Sequence, residues 1–156
     1  MLNWFKRVYK RWRFVFLPNA NAVPMLVTCD ASCVRGVAAY AYVIRITDGT
    51  NRVFRGGLAI PGHKTSREAE IVGAVESLHR ASKLGATHIT LHMDCQSAIC
   101  YFMHYKRYPE LAQAMGCKIQ IRYVPGHGKD HNQVAKDMAE CDATAVKLRK
   151  KAQENA

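Results

Sequence analysis

Three apolar segments follow one another between residues 25 and 60, and a capped amphipathic helix comes directly after them. The middle segment, 36–46, is rich in Val, Tyr and Ile, which favour strands. Asp48-Gly49 separates it from the third segment and is a strong hairpin sequence. The pattern therefore predicts three consecutive antiparallel strands, over residues 25–30, 36–46 and 51–60.

A capping box predicts where the long helix begins. Thr65-Ser-Arg-Glu68 has the required spacing, and apolar residues then recur at helical intervals, which predicts a helix over 66–83. The remaining pattern predicts a strand (88–93), two helices (95–105 and 109–115), a strand (118–124) and a final helix from about residue 132. Because a helix between two strands implies a parallel crossover, we expect a mixed sheet in a single α/β layer sandwich.

The length of the chain limits the number of domains, and its net charge limits the classes of binding partner. A chain of 156 residues fits one domain with a sizeable core, which we expect to span residues 25–156. Its 23 Lys and Arg against 12 Asp and Glu give a formal net charge of +11. This excess points to a polyanionic partner, with nucleic acid as the first candidate and an anionic membrane surface as the second.

The first 17 residues carry six aromatic side chains, five positive charges and no acid. The charges interrupt any apolar stretch long enough for a signal peptide or a membrane-spanning helix. Three interpretations stay open: an arm that lies along phosphates, an interfacial helix at a membrane surface, and an extra helix packed on the domain. We therefore predict a basic, aromatic N-terminal arm and linker over residues 1–24.

The cysteines indicate the redox environment. None lies in a CxxC pair, and the chain is long enough to fold without disulfides, so we expect free thiols in a reducing cytoplasm. Structural zinc is disfavoured because only one near pair occurs, with no matching second pair. The six cysteines are Cys29, Cys33, Cys95, Cys100, Cys117 and Cys141.

Three acidic residues stand where the predicted elements can bring them together. Asp30 ends the first predicted strand, Asp94 follows the fourth, and Glu70 lies in the first turns of the long helix. Glu68 competes with Glu70, but the capping box already gives Glu68 a structural role. Three clustered carboxylates need neutralising cations, and oxygen ligands suit Mg²⁺ or Mn²⁺, so the sequence predicts metal-assisted phosphodiester hydrolysis.

Four motifs, in this order, resemble those of the type 1 ribonuclease H family. The resemblance covers residues 25–145 and implies a five-stranded mixed sheet, three strands antiparallel and then two parallel, flanked by helices. It also implies an endonuclease that cuts the RNA strand of RNA–DNA hybrids with two metal ions and no small-molecule cofactor. The motifs are Cys29-Asp-Ala-Ser-Cys33, Thr65-Ser-Arg-Glu-Ala-Glu70, Met93-Asp-Cys-Gln-Ser97, and Val124-Pro-Gly-His127 with Asn132-Gln-Val-Ala135.

The same resemblance implies roles for individual residues. Asp30, Glu70 and Asp94 look like metal ligands, and His127 resembles the family's proton-handling histidine near the scissile phosphate. Short neutral side chains at four further positions resemble those that contact the sugar-phosphate backbone or the minor groove, where the 2′-OH distinguishes RNA from DNA. These substrate-binding candidates are Ser32, Thr65, Gln96 and Asn132.

Two departures from the family pattern matter. The extra basic helix and loop of some members is missing, and the N-terminal arm is a candidate substitute. The fourth acidic position holds Lys136, with Asp137 one residue later. We slightly favour Lys136 pointing into the site, and a helix rotated by one residue would make Asp137 the catalytic fourth ligand. With Lys136 inward, the alternative function is a nucleic-acid-binding module with weak or no catalysis.

Overall fold

The computed structural model describes residues 22–104, 107–126 and 131–155. No helix in these ranges is both long and apolar enough to cross a membrane. The strands are β1 (Pro24–Val34), β2 (Val37–Ile46), β3 (Val53–Ile60), β4 (His88–Met93) and β5 (Lys118–Tyr123). The helices are α1 (Ser66–Lys83), α2 (Gln96–His104), α3 (Arg107–Met115) and α4 (Gln133–Glu154).

The five strands form one mixed sheet in the order β3-β2-β1-β4-β5. β1 pairs antiparallel with β2, and β2 pairs antiparallel with β3. β1 pairs parallel with β4, which in turn pairs parallel with β5. This is the predicted fold class, three antiparallel strands followed by two parallel ones, with helices on the faces.

β1 is longer than the sequence pattern predicted. Arg35 and Gly36 form a two-residue turn in which both φ angles are positive, +52° and +81°. Such a turn matches the twist of a hairpin, so the ladder continues without a break to the pair Val34 and Val37. Asp30 consequently lies in the middle of β1, not at its end.

The capping box fixes the start of α1 as predicted. The Thr65 hydroxyl accepts a hydrogen bond from the Glu68 amide at 3.2 Å, and the Glu68 carboxylate accepts one from the Thr65 amide at 2.8 Å. The helix then runs over Ser66–Lys83, the predicted range. Gly85, at φ +90°, follows the last turn, where a left-handed residue commonly ends a helix.

The sheet separates two apolar layers. On one face, Val27, Leu91 and Leu78 belong to the main core, together with Phe102 of α2 and Met115 of α3. Each of these side chains is at least nine-tenths buried, and burial of one such side chain contributes about 1.5–3 kcal/mol.

On the other face, α4 packs against β1, β2 and β3. Small residues form this second cluster, with Ala41 and Val43 from β2 and Cys141 and Ala145 from α4. Gly57 of β3 faces the same helix, close to Leu148. The small side chains allow a long helix to lie close to the sheet, beside the strand that carries Asp30.

We predict that Gly57→Ala destabilises the protein by about 1–3 kcal/mol. The added methyl group would overlap the Tyr40 carbonyl oxygen and lie 3.0 Å from Leu148 Cδ1, so β3 or α4 must move. Urea unfolding measures the loss. Gly56→Ala is the matched control because its methyl group meets the ring end of Tyr42, which can rotate away. Equal losses in both variants would contradict this account.

Candidate metal centre

Three carboxylates from three different elements meet just beyond the point where the pairing of β1 with β4 ends. Asp30 lies in β1, Asp94 directly follows β4, and Glu70 lies in the second turn of α1. Thr28 of β1 is in register with His92 of β4, so Asp30 and Asp94, each two residues further along, share a row and a face. One oxygen of each carboxylate lies within 4.8 Å of the other two.

The electrostatics of this group are unfavourable without a cation. Asp30 and Glu70 are 6% and 8% exposed. Burial, reinforced by the charge of Asp94, raises the pKa of Asp30 to about 6. Burial, reinforced by the charge of Asp30, raises the pKa of Glu70 to about 10. These shifts follow from desolvation and from like charges held close together.

The oxygen atoms present fit a divalent cation. Glu70 Oε2 is buried and has no hydrogen-bond partner among the described residues, and such an atom is costly unless a ligand satisfies it. Asp30 Oδ1 accepts a hydrogen bond from the Ala31 amide at 2.7 Å, which orients that carboxylate. An all-oxygen donor set of this kind is suited to Mg²⁺ or Mn²⁺.

The loop after β5 approaches the carboxylates closely. A Cβ atom at Gly126 would overlap Asp94 Oδ2, so a residue with a side chain does not fit here without a shift. His127, the next residue in the motif, lies outside the described residues, and its proton-handling role stays a prediction.

Neither candidate for the fourth acidic position joins the group. Lys136 is exposed, so the prediction that it points into the site is wrong. Asp137 is buried instead, and both of its oxygens bind Arg45 of β2, at 2.6 Å to Nε and 2.7 Å to Nη2. Gln133 donates a further hydrogen bond to Asp137 at 2.9 Å. The helix is rotated so that Asp137 faces inward, where an arginine from the sheet pairs with it.

Asp142, which the motif comparison missed, lies near the centre. It is half-buried, and its charge adds to the effects of burial and Asp94 on the pKa of Asp30. The preceding residue, Cys141, donates a hydrogen bond to the Thr28 carbonyl at 3.4 Å, two residues before Asp30 on β1. The small and apolar stripe of α4 could have indicated this position, whereas counting from Asn132 led to residues 136 and 137.

The four predicted substrate-contacting residues differ in their surroundings. Thr65 caps α1, and Asn132 caps α4 by accepting a hydrogen bond from the Ala135 amide at 2.9 Å. Ser32 accepts one from Arg149 at 2.8 Å. Gln96 is the first residue of α2 and is exposed, two residues after Asp94. Gln96 is thus the exposed candidate next to a carboxylate in sequence, while the Thr65 hydroxyl bonds Glu68 within the capping box. The substrate contacts of all four residues stay predictions.

Two groups of predictions concern other parts of the chain. Residues 1–21 lie outside the described part of the structure, so the arm and its three interpretations, the membrane surface included, stay predictions. All six cysteines are free thiols, three of them buried.

A family model described as "Reverse transcriptase-like" matches residues 28–122. The matched range is more than half of the chain and contains all three clustered carboxylates. A search of curated proteins finds no match to the chain.

Several solved structures have a similar fold. The N-terminal RNase H domain of a Mycobacterium tuberculosis protein is 23% identical, with a TM-score of 0.67 over 86% of this chain and 100% of that one. RNase H1 of the archaeon Halobacterium salinarum is 20% identical, with a TM-score of 0.61 over 85% and 99%. LC11-RNase H1 from compost, solved with an RNA/DNA hybrid, is 12% identical, with a TM-score of 0.62 over 83% and 99%. At these identities the likeness shows the fold.

We predict that Asp30→Asn raises the melting temperature of the metal-free protein at pH 7.5, because it removes one of the repelling charges. The gain should shrink as the pH falls below about 6, where a proton neutralises Asp30 in the unsubstituted protein as well. Mg²⁺ should raise the melting temperature of the unsubstituted protein much more than that of the variant.

Thermal unfolding in EDTA and in Mg²⁺ measures both effects. Glu68→Gln is the control, since its carboxylate lies outside the group and glutamine is compatible with a capping box. A lower melting temperature for metal-free Asp30→Asn would contradict the repulsion argument.

Proposed function

Because the chain belongs to the reverse transcriptase-like family and has the ribonuclease H fold, we propose that it is a metal-dependent endonuclease that hydrolyses the RNA strand of RNA–DNA hybrids. The observation that carries this proposal is the convergence of Asp30, Glu70 and Asp94 within 4.8 Å of one another. A group so repulsive is difficult to explain as a purely structural feature, whereas it suits a site that binds cations.

Each carboxylate has a distinct part in holding the metal. Asp30 is oriented by the Ala31 amide, and Glu70 presents the unpartnered Oε2. Asp94 lies against Gly126, at the start of the loop that leads to His127. Two bound Mg²⁺ or Mn²⁺ ions would activate a water and stabilise the leaving oxygen. His127 is proposed to transfer a proton near the scissile phosphate.

The net charge of the chain and a neutral polar side chain next to the carboxylates support a nucleic-acid substrate. The net charge of +11 favours a polyanion, and Gln96 presents an exposed, neutral amide group two residues after Asp94. Such groups can bind a ribose 2′-OH, which is what distinguishes an RNA strand from DNA. LC11-RNase H1, which has the same fold, was solved in complex with an RNA/DNA hybrid.

We propose Asp142, and not Asp137, as the fourth carboxylate of the site. Asp142 acts electrostatically on Asp30, while both oxygens of Asp137 are bound to Arg45. The alternative of a weakly catalytic binding module depended on Lys136 occupying the acidic position. Since Lys136 is exposed, that reason no longer applies.

Asp94→Asn should abolish most cleavage of a labelled RNA–DNA hybrid in Mg²⁺, because it removes a ligand while keeping the shape of the side chain. The loss of cleavage rate should exceed the roughly 10–100-fold loss that follows when a residue supporting a metal ligand, and not the ligand itself, is replaced. Asp48→Asn, an exposed carboxylate in the turn before β3, should cleave normally. Full cleavage by Asp94→Asn would overturn the proposed function, and hybrid binding without any cleavage by the unsubstituted protein would favour the binding module.

Asp137→Asn and Asp142→Asn should have opposite effects. Asp137→Asn removes the charge that pairs with Arg45, whose side chain is partly exposed, and should cost about 1.5–3 kcal/mol of stability. Asp142→Asn should lower cleavage and raise the Mg²⁺ concentration needed for half-maximal activity, with little loss of stability. Urea unfolding and a Mg²⁺ titration of cleavage separate the two. The reverse pattern would return the fourth position to Asp137.

A further inference from the structure

A cationic surface lies beyond the metal centre, near the C-terminal ends of β1 and α4. We call it the α4 tail surface and define it by Arg35, Lys147, Lys150 and Lys151. All four side chains are exposed. Residues 143–153 contain four basic residues and no acid, and residues 31–47 contain no acid either. Both segments therefore carry only positive charges, and the nearest acid along α4 towards its end is Glu154.

Hydrogen bonds hold these two segments together. Arg149, which is buried, donates to the Ser32 hydroxyl at 2.8 Å, and Gln153 donates to the Val34 carbonyl at 3.5 Å. Arg35 and Ala152 line the same cleft, about 480 Å³ in volume. The end of α4 is thus fixed against β1, and the four cations form one surface.

These cations have no partners among the described residues, in contrast to the arginines further up the same face. Arg45 pairs with Asp137, and Arg55 pairs with Glu140. No ion pair or hydrogen bond engages the side chains of Arg35, Lys147, Lys150 or Lys151 in the described ranges. The last turns of α4 carry one acid, Glu154, against four basic residues, so they keep a net positive charge.

Arg35 occupies a backbone conformation that does not favour it. At φ +52°, in a turn with two positive φ angles, asparagine, aspartate or glycine is the preferred residue. A charged, unpaired side chain held at such a position suggests a role outside the fold itself. Basic residues near a helix C-terminus interact favourably with the helix dipole, which accounts for lysines at the end of α4. This effect cannot account for Arg35, because Arg35 lies in a hairpin turn.

We propose that the α4 tail surface binds the phosphate backbone of the nucleic acid that occupies the metal centre. This inference rests on the proposed function. Arg35 is five residues beyond Asp30, in the turn that follows β1, a span of about 16 Å. Lys147 and Lys150 lie about 8 and 12 Å further along α4 than Asp142. A nucleic acid bound at the metal centre would therefore meet these cations several phosphates away from the cleaved bond. Only a substrate long enough to extend beyond the metal centre can make this contact.

An anionic membrane fits this surface less well. Interfacial helices combine cations with large apolar side chains that enter the acyl boundary. Val34, 43% exposed, is the only exposed large apolar residue of the described chain that adjoins these cations, since Leu58, Met103 and Tyr123 belong to other elements. Charge without an apolar face favours phosphates that stay in water.

Binding is measured by fluorescence anisotropy with an 18-base-pair RNA–DNA hybrid in EDTA, where no cleavage occurs, over a range of salt concentrations. Lys147→Gln/Lys150→Gln/Lys151→Gln should raise Kd by about 10-fold or more and reduce the slope of log K against log salt by up to about 3. Arg80→Gln/Lys83→Gln/Lys118→Gln is the matched control, since it removes three exposed cations at the opposite end of the sheet, two in the last turn of α1 and one at the start of β5. The control should leave Kd and slope nearly unchanged.

Arg35→Asn gives a second, independent readout. Asparagine tolerates positive φ, so this variant should melt at the same temperature or higher while it binds the hybrid more weakly. Unchanged hybrid binding by the triple variant, or equal weakening by the control, would overturn the proposal. Loss of binding to vesicles of anionic lipid, with hybrid binding intact, would overturn it in favour of a membrane.

Failure of the proposed function gives a different result. In that case the unsubstituted protein fails to cleave the hybrid, or Asp94→Asn cleaves it fully. The binding comparison in EDTA does not depend on cleavage, so the α4 tail surface is tested whichever way that experiment ends.

Discussion

The parallel pairing of β1 with β4 is the constraint on which the candidate site depends. It places Asp30 and Asp94 in one row, although 64 residues separate them in the chain. The repulsion that follows is tolerated because the rest of the sheet is well packed, with apolar layers on both faces. The stability of the core thus maintains a local arrangement that is unfavourable in the absence of cations.

The features that were predictable from sequence have short-range causes. The capping box determines the first residue of α1, and Gly85 determines where it ends, so both bounds were correct. The three carboxylates followed from two predicted strand ends and a helix start, and Asp30 joins the group even though β1 continues past it to Val34. Each of these is encoded by residues within a few positions of one another, which is the range over which sequence patterns are informative.

The features that were not predictable depend on contacts between distant segments. The pairing of Arg45 with Asp137 joins residues 92 positions apart, and it decides which side of α4 faces the sheet. That rotation removes Lys136 from the site and brings Asp142 towards Asp30. A motif aligned by its spacing from Asn132 contains no information about an arginine on β2. The length of β1 was not predicted because Arg35 occupies a turn position that is usually asparagine or glycine, and the sequence pattern therefore did not indicate a turn there.

The capping box also has a consequence for how this chain can vary. It fixes the first turn of α1 at Thr65, and each residue of an α-helix advances the side chain by about 100°. One residue inserted between Glu68 and Glu70 would keep the helix and its cap, yet it would turn the Glu70 carboxylate away from its two partners. The stretch from the cap to Glu70 is therefore constrained in length as strictly as in composition. A change in the length of the solvent-facing turn between β2 and β3 would instead leave the three carboxylates in place, because none of them follows that turn within its strand pair.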